Sequence, residues 1–585
     1  MRALSTCIVT PLRLSIGAAN MIRGKTWRCN TLDKIIVTTA LIYANGEIHL
    51  GHVTSTYLPA DIFVRYCRLK GHDAIHVGAT DDFGTPILIE AEKEGKSPEE
   101  FVEYWNKIDQ KDFSDFGVSF DIYDKTSSKE NVALTQHFFK TLYERGYIFK
   151  KTILQPYCPK DKKFLPDRYV KGTCPFCGAT EQYSDSCEKC GRTFQLGEIL
   201  NPHCALCGTT PIDKESQHYF FKLSQFADAL KKWLEENEKL QPEVKNYILS
   251  WIREGLLDWD ITRDILWGVP IPLKEAKGQV LYGWFDNHLG YISTAQKYFK
   301  GKGIDGKQAW NKSKIYHYIG KDIVYHHYLF LPAMRLGNGE YKLPDFIPTR
   351  GMLQLEQQKF SKSRGWYIGL RDFLNKFPAD YLRYYLTSVT TYTQADVNFD
   401  WTDFQKKINN ELIANIGNFI HRTLTFTWTK YQGRVPQPKE FDTLDSELVE
   451  RIKHVADDVG TEVEANELVK GLRRIVEFSA FCNQYFQKKQ PWTDKEKAKT
   501  TLYLCVNAVR SLAILLEPYT PFSTEKLWQQ LNLDGTVHKQ DWNSASQLEI
   551  GNGHQINQPS VLFERVQDKD IEAERQKLGR VTISG

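Results

Sequence analysis

The sequence feature that most constrains the fold of this chain is a cluster of cysteines. Seven of the twelve cysteines lie between Cys158 and Cys207, and most form pairs with two residues between them. In a chain of 585 residues, such pairs favour metal ligation in a reducing compartment over a framework of disulfides. This part of the chain is therefore predicted to be an insertion of short segments and turns that metal ions hold together.

The spacing predicts a pair of zinc sites in this insertion. The first is a closed, structural site of four thiolates, and its ligands are Cys174, Cys177, Cys187 and Cys190. The second, interleaved site has the ligands Cys158, Asp161, Cys204 and Cys207. Three cysteines with one aspartate are less common than four cysteines, so His203 remains a rival for the fourth position.

Outside the insertion, the predicted elements follow the order of an α/β protein. The strand-like runs are Lys34 to Ala40, Ala74 to Thr80, Val280 to Phe285 and Lys314 to Ile319. The first run leads through a turn into His49-Leu50-Gly51-His52 and then into a helical stretch that ends near Leu69. Strands that alternate with helices predict a Rossmann-type parallel sheet with crossover helices, split by the cysteine-rich insertion.

From about Asp403 the chain is predicted to be an all-α helix bundle. Apolar residues recur every four positions, as Phe404, Ile408, Leu412, Ile416 and Ile420. Two further helices are predicted from Glu467 to Gln490, stopped by Pro491, and from Thr501 to Glu517, bounded by Pro518.

Charge and hydropathy exclude two simple functional classes. The 76 basic and 72 acidic residues leave a net charge of +4, too small for a polycation, so any nucleic-acid contact must come from local patches. The longest apolar stretch, Leu502 to Leu516, is interrupted by Asn507 and Arg510. It is shorter than the ~18 apolar residues of a membrane span, so no bilayer crossing is expected.

The first 32 residues contain basic residues and no acidic ones. Their basic residues are Arg2, Arg13, Arg23, Lys25 and Arg28. This composition is typical of a transit peptide, and translation that begins at Met21 is an equal alternative. We expect a cytoplasmic protein, with an organellar location as the alternative if this segment is a targeting peptide.

Two short motifs indicate nucleotide chemistry. His49-Leu50-Gly51-His52 follows a strand and opens a helix, where backbone N–H groups and the helix dipole favour phosphate. Gly51 lets a phosphate or a flat base approach the main chain, and two imidazoles can donate to developing charge. On a second loop, the lysines and serines of Lys359-Phe360-Ser361-Lys362-Ser363 can neutralise a leaving pyrophosphate and donate hydrogen bonds to it.

In this order, across two α/β halves, the motifs resemble the H-I-G-H and K-M-S-K-S elements of class I aminoacyl-tRNA synthetases. Within that class, the chain resembles the methionyl-tRNA synthetases of the archaeal and eukaryotic cytosolic type with two zinc knuckles. The resemblance runs from about Lys34 to Trp542 and rests on TTALIYANGEIHLGH, LPDRYVKGTCPFCG, YIGKDIVYHH, KFSKSRG and PADYLRYYL.

The resemblance implies a methionine–tRNA ligase that uses ATP with Mg²⁺, contains Zn²⁺ and charges a tRNA with a CAU anticodon. We expect a monomer. The alternatives are a paralogue that activates another amino acid by the same chemistry, and a tRNA-binding protein with reduced aminoacylation. Retention of both ATP motifs argues against the second alternative.

The resemblance also implies a role for particular residues. The catalytic residues would be His49, His52, Lys359 and Lys362. The ATP-binding residues would be Gly51, Lys321, Asp322, Ser361 and Ser363. The amino-acid site would be lined by Leu41, Tyr43, Asp81, Trp284, Tyr291, Ile323 and His327, with Asp81 on the α-ammonium. The anticodon would be bound by Asn418, Arg422 and Trp492.

The domain organisation implied by the motifs and the resemblance is as follows. The segments are an N-terminal extension (1–33), the first half of the catalytic domain (34–146), a connective insertion with zinc knuckles (147–265), the second half of the catalytic domain (266–345), a stem-contact region with the K-F-S-K-S loop (346–402), an anticodon-binding helix bundle (403–540) and a C-terminal tail (541–585).

The amino-acid pocket departs from the family pattern. The departures are Ile42 for a proline, Phe83 for a frequent histidine, Asn287-His288 for Ala-Pro, His326 for an aromatic residue and Leu331 for a tryptophan. A thioether sulfur is a weak acceptor, so a methionine pocket selects by shape and apolar fit. These residues are therefore predicted to make the pocket, or its immediate surroundings, more polar.

Overall fold

A computed structural model describes residues 33–184, 187, 189, 198–361 and 364–579 of the chain. The predictions for the N-terminal extension therefore lie outside the described residues, except for Asp33. Both nucleotide motifs are positioned by the central sheet of the described chain.

Six strands of the described chain form a parallel sheet, which confirms the predicted α/β class. These strands are Lys34–Thr39, Ile42–Tyr43, Asp73–Asp81, Ile122–Lys125, Lys314–Gly320 and Thr349–Arg350. Strand Lys34–Thr39 lies at the centre, between Asp73–Asp81 and Lys314–Gly320. These three strands are apolar and buried over most of their length, as expected of parallel strands covered on both faces.

Helices cover both faces of this sheet. Their bounds are Leu50–His52, Leu58–Leu69, Thr85–Lys93, Pro98–Phe116, Lys129–Glu144, Gly290–Gly301, Gly306–Lys312 and Leu331–Asn338. Wide π-helical turns, Val53–Tyr57 and His326–Phe330, precede two of them. Such turns inside helices are frequent at functional sites.

The connective insertion is built on a long antiparallel ribbon that pairs Ile148–Cys158 with Ile212–Phe221. The shorter strands of the insertion are Lys163–Phe164, Val170–Thr173, Gln182–Tyr183, Leu200–Cys204 and Trp259–Asp260. Two helices, Ala227–Glu236 and Pro242–Glu254, return the chain towards the second half of the sheet.

The predicted strand from Val280 to Phe285 is wrong for most of its length. Only Val280–Leu281 is a strand, and it pairs antiparallel with two short strands instead of joining the parallel sheet. From Gly283 to Asp286 the chain is helical. A short apolar run of this kind is compatible with a strand or with a buried helical turn, and periodicity alone does not separate the two.

The second nucleotide motif lies on a hairpin between the sheet and the bundle. Strand Leu353–Leu355 pairs antiparallel with Gln358–Lys359 and parallel with Val397–Phe399. The helices Leu370–Lys376 and Ala379–Val389 follow the motif and pack towards the bundle.

The predicted helix bundle is confirmed. Its helices are Trp401–Lys407, Asn418–Tyr431, Thr443–Glu464, Leu468–Lys489, Lys497–Leu516 and Pro521–Gln530, with a π-helical stretch at Ile408–Gly417 that joins the first two. Among the described residues, one helical stretch, Ala498–Leu516, is long and apolar enough to cross a membrane, and 89% of it is buried in the protein.

The segment from residue 541, predicted as a tail, packs into the protein instead. The Trp542 side chain is fully buried, and its indole N–H donates to the carbonyl oxygen of Ala456 at 2.9 Å. A further helix, Asp568–Arg575, follows. The polar composition of the segment concealed a few widely spaced core residues, which are Ile550, Ile556, Phe563, Val566 and Ile571.

Candidate active site and metal clusters

The H-L-G-H motif begins its helix with a histidine cap. His49 is extended, and its Nδ1 accepts the backbone N–H of Gly51 at 3.1 Å. The backbone N–H of His49 donates in return to Nδ1 of His52 at 3.2 Å. The two imidazoles stack with their centroids 3.7 Å apart and their planes 16° from parallel.

This capping arrangement fixes the proton on each imidazole. Because Nδ1 of each ring accepts a backbone N–H, the proton of the neutral ring must lie on Nε2. Both rings therefore have a donor at Nε2. A Cβ atom on residue 51 would lie 2.9 Å from Cε1 of His49, so glycine at this position permits the stack.

The structure brings the two nucleotide motifs together. The rings of His49 and Phe360 lie 5.2 Å apart. The backbone N–H of Leu50 donates to Ile368 at 3.1 Å, and that of Leu370 donates to Ile48 at 2.7 Å. The motifs are therefore adjacent although about three hundred residues separate them in the sequence.

The K-F-S-K-S loop is described as far as Ser361 and again from Arg364, so Lys362 and Ser363 lie outside the described residues. Ser361 and Trp366 exchange backbone hydrogen bonds of 2.9 Å in both directions. These bonds close the loop at its base. Lys359 is exposed at the end of strand Gln358–Lys359.

Asp81 ends a central strand at the carboxyl edge of the sheet, beside the end of strand Lys34–Thr39. Its side chain is 2% exposed, and Oδ2 accepts from Nδ2 of Asn287 at 3.1 Å. Burial raises the pKa of Asp81 to about 8, and the Asn287 hydrogen bond opposes this rise. The site therefore contains a carboxyl group that ionises near neutral pH.

Asp286 lies close to Asp81 and is fully buried. Neither of its carboxyl oxygens has a hydrogen-bond partner among the described residues. Burial, and then the negative charge of Asp81, raise the pKa of Asp286 well above the ordinary value.

Two residues that depart from the family pattern, His288 and His326, belong to an aromatic and imidazole cluster in the predicted amino-acid pocket. His326 stacks on Trp284, with centroids 3.7 Å apart and planes 7° from parallel. His288 is buried among them, and the described residues offer its two nitrogens no hydrogen-bond partner. Tyr291 bonds through its hydroxyl to Nε2 of His327 at 3.0 Å.

Burial keeps these imidazoles neutral. It lowers the pKa of His326 to about 3 and that of His327 to about 4, and it lowers the pKa of His288 well below the ordinary value. The cluster is therefore polar but uncharged at neutral pH.

The other predicted pocket residues lie around this cluster. Tyr43 pairs with Asp81 in the sheet, and Ile323 accepts a hydrogen bond from Nδ1 of His327 through its carbonyl oxygen at 3.0 Å. Leu41 packs against Gly290, where a Cβ atom would lie 3.0 Å from Cδ1 of Leu41.

Gly320, Lys321 and Asp322 follow the end of the strand Lys314–Gly320, at the same edge of the sheet. A Cβ atom on Gly320 would lie 2.6 Å from Oδ1 of Asp322, which folds back over it. Lys321 forms an ion pair with Asp396 at 2.7 Å. The sequence does not indicate this ion pair, which engages the ammonium group of a predicted ATP-binding residue.

Sequence analysis missed the groups that hold these predicted residues in place. In the sequence, Asn287 is a departure from the family pattern, and only the structure identifies it as a hydrogen-bond partner of Asp81. Trp267 donates its indole N–H to the carbonyl oxygen of Asp82 at 2.6 Å and packs on Phe83. Nothing in the sequence near residue 267 signals this contact, because it joins positions 185 residues apart.

Seven of the eight predicted metal ligands lie among the described residues, where they form two clusters in the insertion. The ligand atoms of Cys158, Asp161, Cys204 and Cys207 all lie within 4.8 Å of one another. Oδ2 of Asp161 lies 3.2 Å from Sγ of Cys158 and 3.2 Å from Sγ of Cys204. The rival ligand, His203, pairs instead with Glu181 at 3.2 Å.

The first metal site is described in part. The sulfur atoms of Cys174, Cys177 and Cys187 lie within 4.8 Å of one another, whereas Cys190 lies outside the described residues. Thiolate sets of this spacing suit Zn²⁺.

The predicted anticodon residues lie together on the bundle. Trp492 is 42% exposed, and the guanidinium of Arg422 lies 5.8 Å from the centre of its ring. Asn418 is exposed one helical turn before Arg422 and donates to Oδ1 of Asn483 at 3.3 Å. The structure therefore offers an exposed indole beside a cation and an amide.

Comparison with known families matches almost the whole described chain. Residues 35–424 match the family model described as tRNA synthetases class I (M). Residues 435–582 match the model of the anticodon binding domain of methionyl tRNA ligase.

Curated relatives agree with these matches. The chain is 44% identical over 550 residues to the methionine–tRNA ligase of Methanopyrus kandleri, covering 92% of this chain and 81% of that protein. It is 43% identical over 559 residues to the methionine–tRNA ligase of Pyrococcus abyssi, covering 92% and 76%.

Solved structures share the fold. Methionyl-tRNA synthetase of Mycobacterium tuberculosis in complex with methionyl-adenylate matches with a TM-score of 0.76 at 24% identity, over 91% of this chain and 100% of that one. The free form of the same enzyme matches with a TM-score of 0.70 at 24% identity, over 92% and 99%.

Proposed function

The chain belongs to the class I methionyl-tRNA synthetases and is a methionine–tRNA ligase, and we propose that the two adjacent motifs described above perform its activation step. The relatives favour this activity over the alternatives of another amino acid or of tRNA binding alone. The observation that carries the proposal is the contact of His49 with Phe360, which places the imidazole pair beside the K-F-S-K-S loop.

In this proposal, the carboxylate of methionine attacks the α-phosphate of ATP and pyrophosphate leaves. The Nε2–H donors of His49 and His52 and the ammonium groups of Lys359 and Lys362 stabilise the charge that develops. Gly51 leaves room for the nucleotide at the helix N-terminus. The aminoacyl group then passes to the 3′ end of the tRNA.

The remaining nucleotide contacts are assigned by position. Asp322 would accept the ribose hydroxyls, and Ser361 and Ser363 would donate to the phosphates. Lys321, which forms an ion pair with Asp396, would lie near the phosphates or the adenine.

The amino acid would lie between Asp81 and the imidazole cluster. Asp81 would bind the α-ammonium, and this buried carboxylate requires a cation to complete its partners. Leu41, Tyr43, Trp284, Tyr291, Ile323 and His327 would surround the side chain.

The first prediction tests the activation step. In ATP–pyrophosphate exchange across all twenty amino acids, methionine is expected to support exchange and omission of Mg²⁺ to abolish it. Lys359→Ala and Lys362→Ala are each expected to slow exchange by about 10² to 10³, the effect of losing one transition-state donor. The control is Lys140→Ala, which removes an exposed lysine of helix Lys129–Glu144. Exchange that is unchanged in both loop variants would refute the roles assigned to these lysines.

A second prediction concerns Asp81 and Asn287. Methionine binding needs the ionised carboxylate, so the KM for methionine should rise as pH falls below about 8. Asn287→Ala removes the donor that stabilises this anion, so it should raise the pKa further and raise the KM at pH 7.5 by about tenfold. Steady-state exchange from pH 6.5 to 9 measures both effects.

The matched control for Asn287→Ala is Asn483→Ala, which deletes another hydrogen-bonded asparagine, in the bundle. If the KM for methionine has the same pH dependence in Asn287→Ala as in the original protein, Asp81 does not bind the ammonium group as proposed.

We further propose that both cysteine clusters bind structural Zn²⁺. Cys174, Cys177, Cys187 and Cys190 would hold one ion, and Cys158, Asp161, Cys204 and Cys207 would hold the other. The ions would replace a core in a segment that has few buried apolar residues. Neither ion would take part in the reaction.

A third prediction follows from this set of ligands. Metal analysis of the purified chain is expected to give about two zinc ions, and Cys174→Ser or Cys204→Ser about one. His203→Ala, and Cys482→Ser at a buried cysteine of the bundle, should retain both. Loss of zinc in the His203 variant would reassign the fourth ligand.

We propose that Asn418, Arg422 and Trp492 bind the anticodon CAU of the tRNA. An exposed indole can stack on an unpaired base, and Arg422 can pair with phosphate or with a base edge. Their common position on the bundle, next to one another, supports this role.

In a fourth prediction, Trp492→Ala raises the KM for tRNA about tenfold and leaves methionine activation intact, because stacking contributes about 1 to 3 kcal/mol per base. The control is Phe441→Ala, a similarly exposed aromatic residue of the bundle. With a tRNA whose anticodon is altered, the KM of Trp492→Ala should no longer differ from that of the original protein. An effect confined to activation contradicts the assignment.

A further inference from the structure

The hairpin that carries the K-F-S-K-S loop has an unfavourable turn. Its two turn residues, Glu356 and Gln357, have φ values of +45° and +62°. Residues with a side chain rarely adopt this left-handed conformation, so a turn made of Glu and Gln is less favourable than one that contains glycine or asparagine. The turn therefore requires support from the surrounding structure.

Neighbouring strands supply part of this support. The backbone N–H of Glu356 donates to the carbonyl oxygen of Phe399 at 2.9 Å, and that of Gln357 donates to Oδ1 of Asn398 at 2.7 Å. Trp401, at the start of the first bundle helix, donates its backbone N–H to Oε1 of Glu356 at 3.2 Å.

The C-terminal helix Asp568–Arg575 supplies the rest. Nε of Arg575 donates to Oε1 of Glu356 at 3.0 Å, and its NH2 group donates to Oγ1 of Thr402 at 2.8 Å. Arg575 therefore ties the turn of the hairpin to the first helix of the bundle. The two partners are 219 residues apart in the sequence.

The same C-terminal segment contacts the other side of the loop. The backbone N–H of Gly579 donates to the carbonyl oxygen of Gly365 at 3.0 Å. Asp570 pairs with Lys376 at 2.8 Å, on the helix that follows the loop. Residues 568–579 thus hold the chain before and after the loop.

We propose that Arg575 is a positioning residue for the activation step, which acts by holding the Glu356 turn and through it the loop that presents Lys359. This inference rests on the catalytic role proposed above for the K-F-S-K-S loop. Arg575 does not touch the substrates, and it acts through the hairpin.

Because Arg575 is partly exposed, its loss is expected to have different effects on stability and on the reaction rate. Its side chain is 39% exposed, and ion pairs exposed to this degree contribute little to overall stability. Only Gln358 separates the turn from Lys359, however, and an error of about 1 Å in the position of a catalytic group can slow a reaction 10²-fold. Loss of Arg575 should therefore affect the rate far more than the stability.

The test compares three variants of the full chain in ATP–pyrophosphate exchange. Arg575→Met is expected to lower kcat about tenfold and to leave the KM for methionine within twofold of the original value. Arg575→Lys keeps the charge near Glu356 and should recover part of kcat. Lys577→Met is the control, because Lys577 lies just beyond the same helix and pairs only with Glu574 among the described residues.

Two further measurements separate positioning from unfolding. Thermal unfolding should be nearly the same for all three variants and the original protein. Amide hydrogen exchange in residues 353–361 should be faster in Arg575→Met alone. If Arg575→Met folds poorly, Glu356→Gln is the alternative test. It retains an acceptor oxygen but loses the charge, so it should show part of the loss in kcat.

An unchanged kcat in Arg575→Met, or a loss of kcat that is matched by Lys577→Met, would overturn the inference. Failure of the original protein to support exchange with methionine, or full activity of Lys359→Ala, would instead overturn the proposed function. The two failures are therefore distinct.

Discussion

One buried ion pair joins the helix bundle to the elements that carry the H-L-G-H and K-F-S-K-S motifs. Asp61 lies on the helix that continues from H-L-G-H, and Arg383 lies on a helix that follows the K-F-S-K-S loop. Their side chains are fully buried and 2.7 Å apart. Arg383 also donates to the carbonyl oxygens of Pro518 and Tyr519, where the central helix of the bundle ends. Three parts of the protein therefore meet at one guanidinium group.

A buried pair of this kind is tolerated because its remaining hydrogen-bonding groups are also satisfied. Asp61 accepts hydrogen bonds from Arg65 and from the backbone N–H and the hydroxyl of Ser119. Arg65 also donates to Oε1 of Glu517 at 2.6 Å. The flanking guanidinium groups hold the pKa of Asp61 below its ordinary value against the effect of burial. Removal of one partner from such a network typically costs ~3 to 5 kcal/mol, because the other charge stays buried. The network thus specifies one docking geometry, and with it the distance between the motifs.

The sequence predicted the parts of the protein that depend on local patterns and left out those that depend on distant contacts. The helix that begins at H-L-G-H, the strands that end near Asp81 and Gly320 and the described members of both cysteine clusters follow from short spacings and lie where they were predicted. The hydrogen bond from Asn287 to Asp81 joins positions 206 residues apart, and the pair of Arg383 with Asp61 joins positions 322 residues apart. No periodicity reports such contacts. The same limit explains the C-terminal segment, whose buried residues are too sparse to form a pattern in the sequence.

The polar residues of the amino-acid pocket are compatible with methionine once their partners and charges are known. Asn287 donates to Asp81, so in the proposed pocket it lies at the end that would bind the ammonium group and not at the apolar end. Burial keeps His288 and His326 neutral, and His326 packs face to face on Trp284 as an aromatic ring would. A neutral imidazole in such a stack presents a flat, polarisable surface. A thioether can pack on this surface without removing a charged group from solvent. Relative to the family pattern, these histidines therefore make the proposed pocket more polar without adding a charge, which is compatible with a methionine side chain.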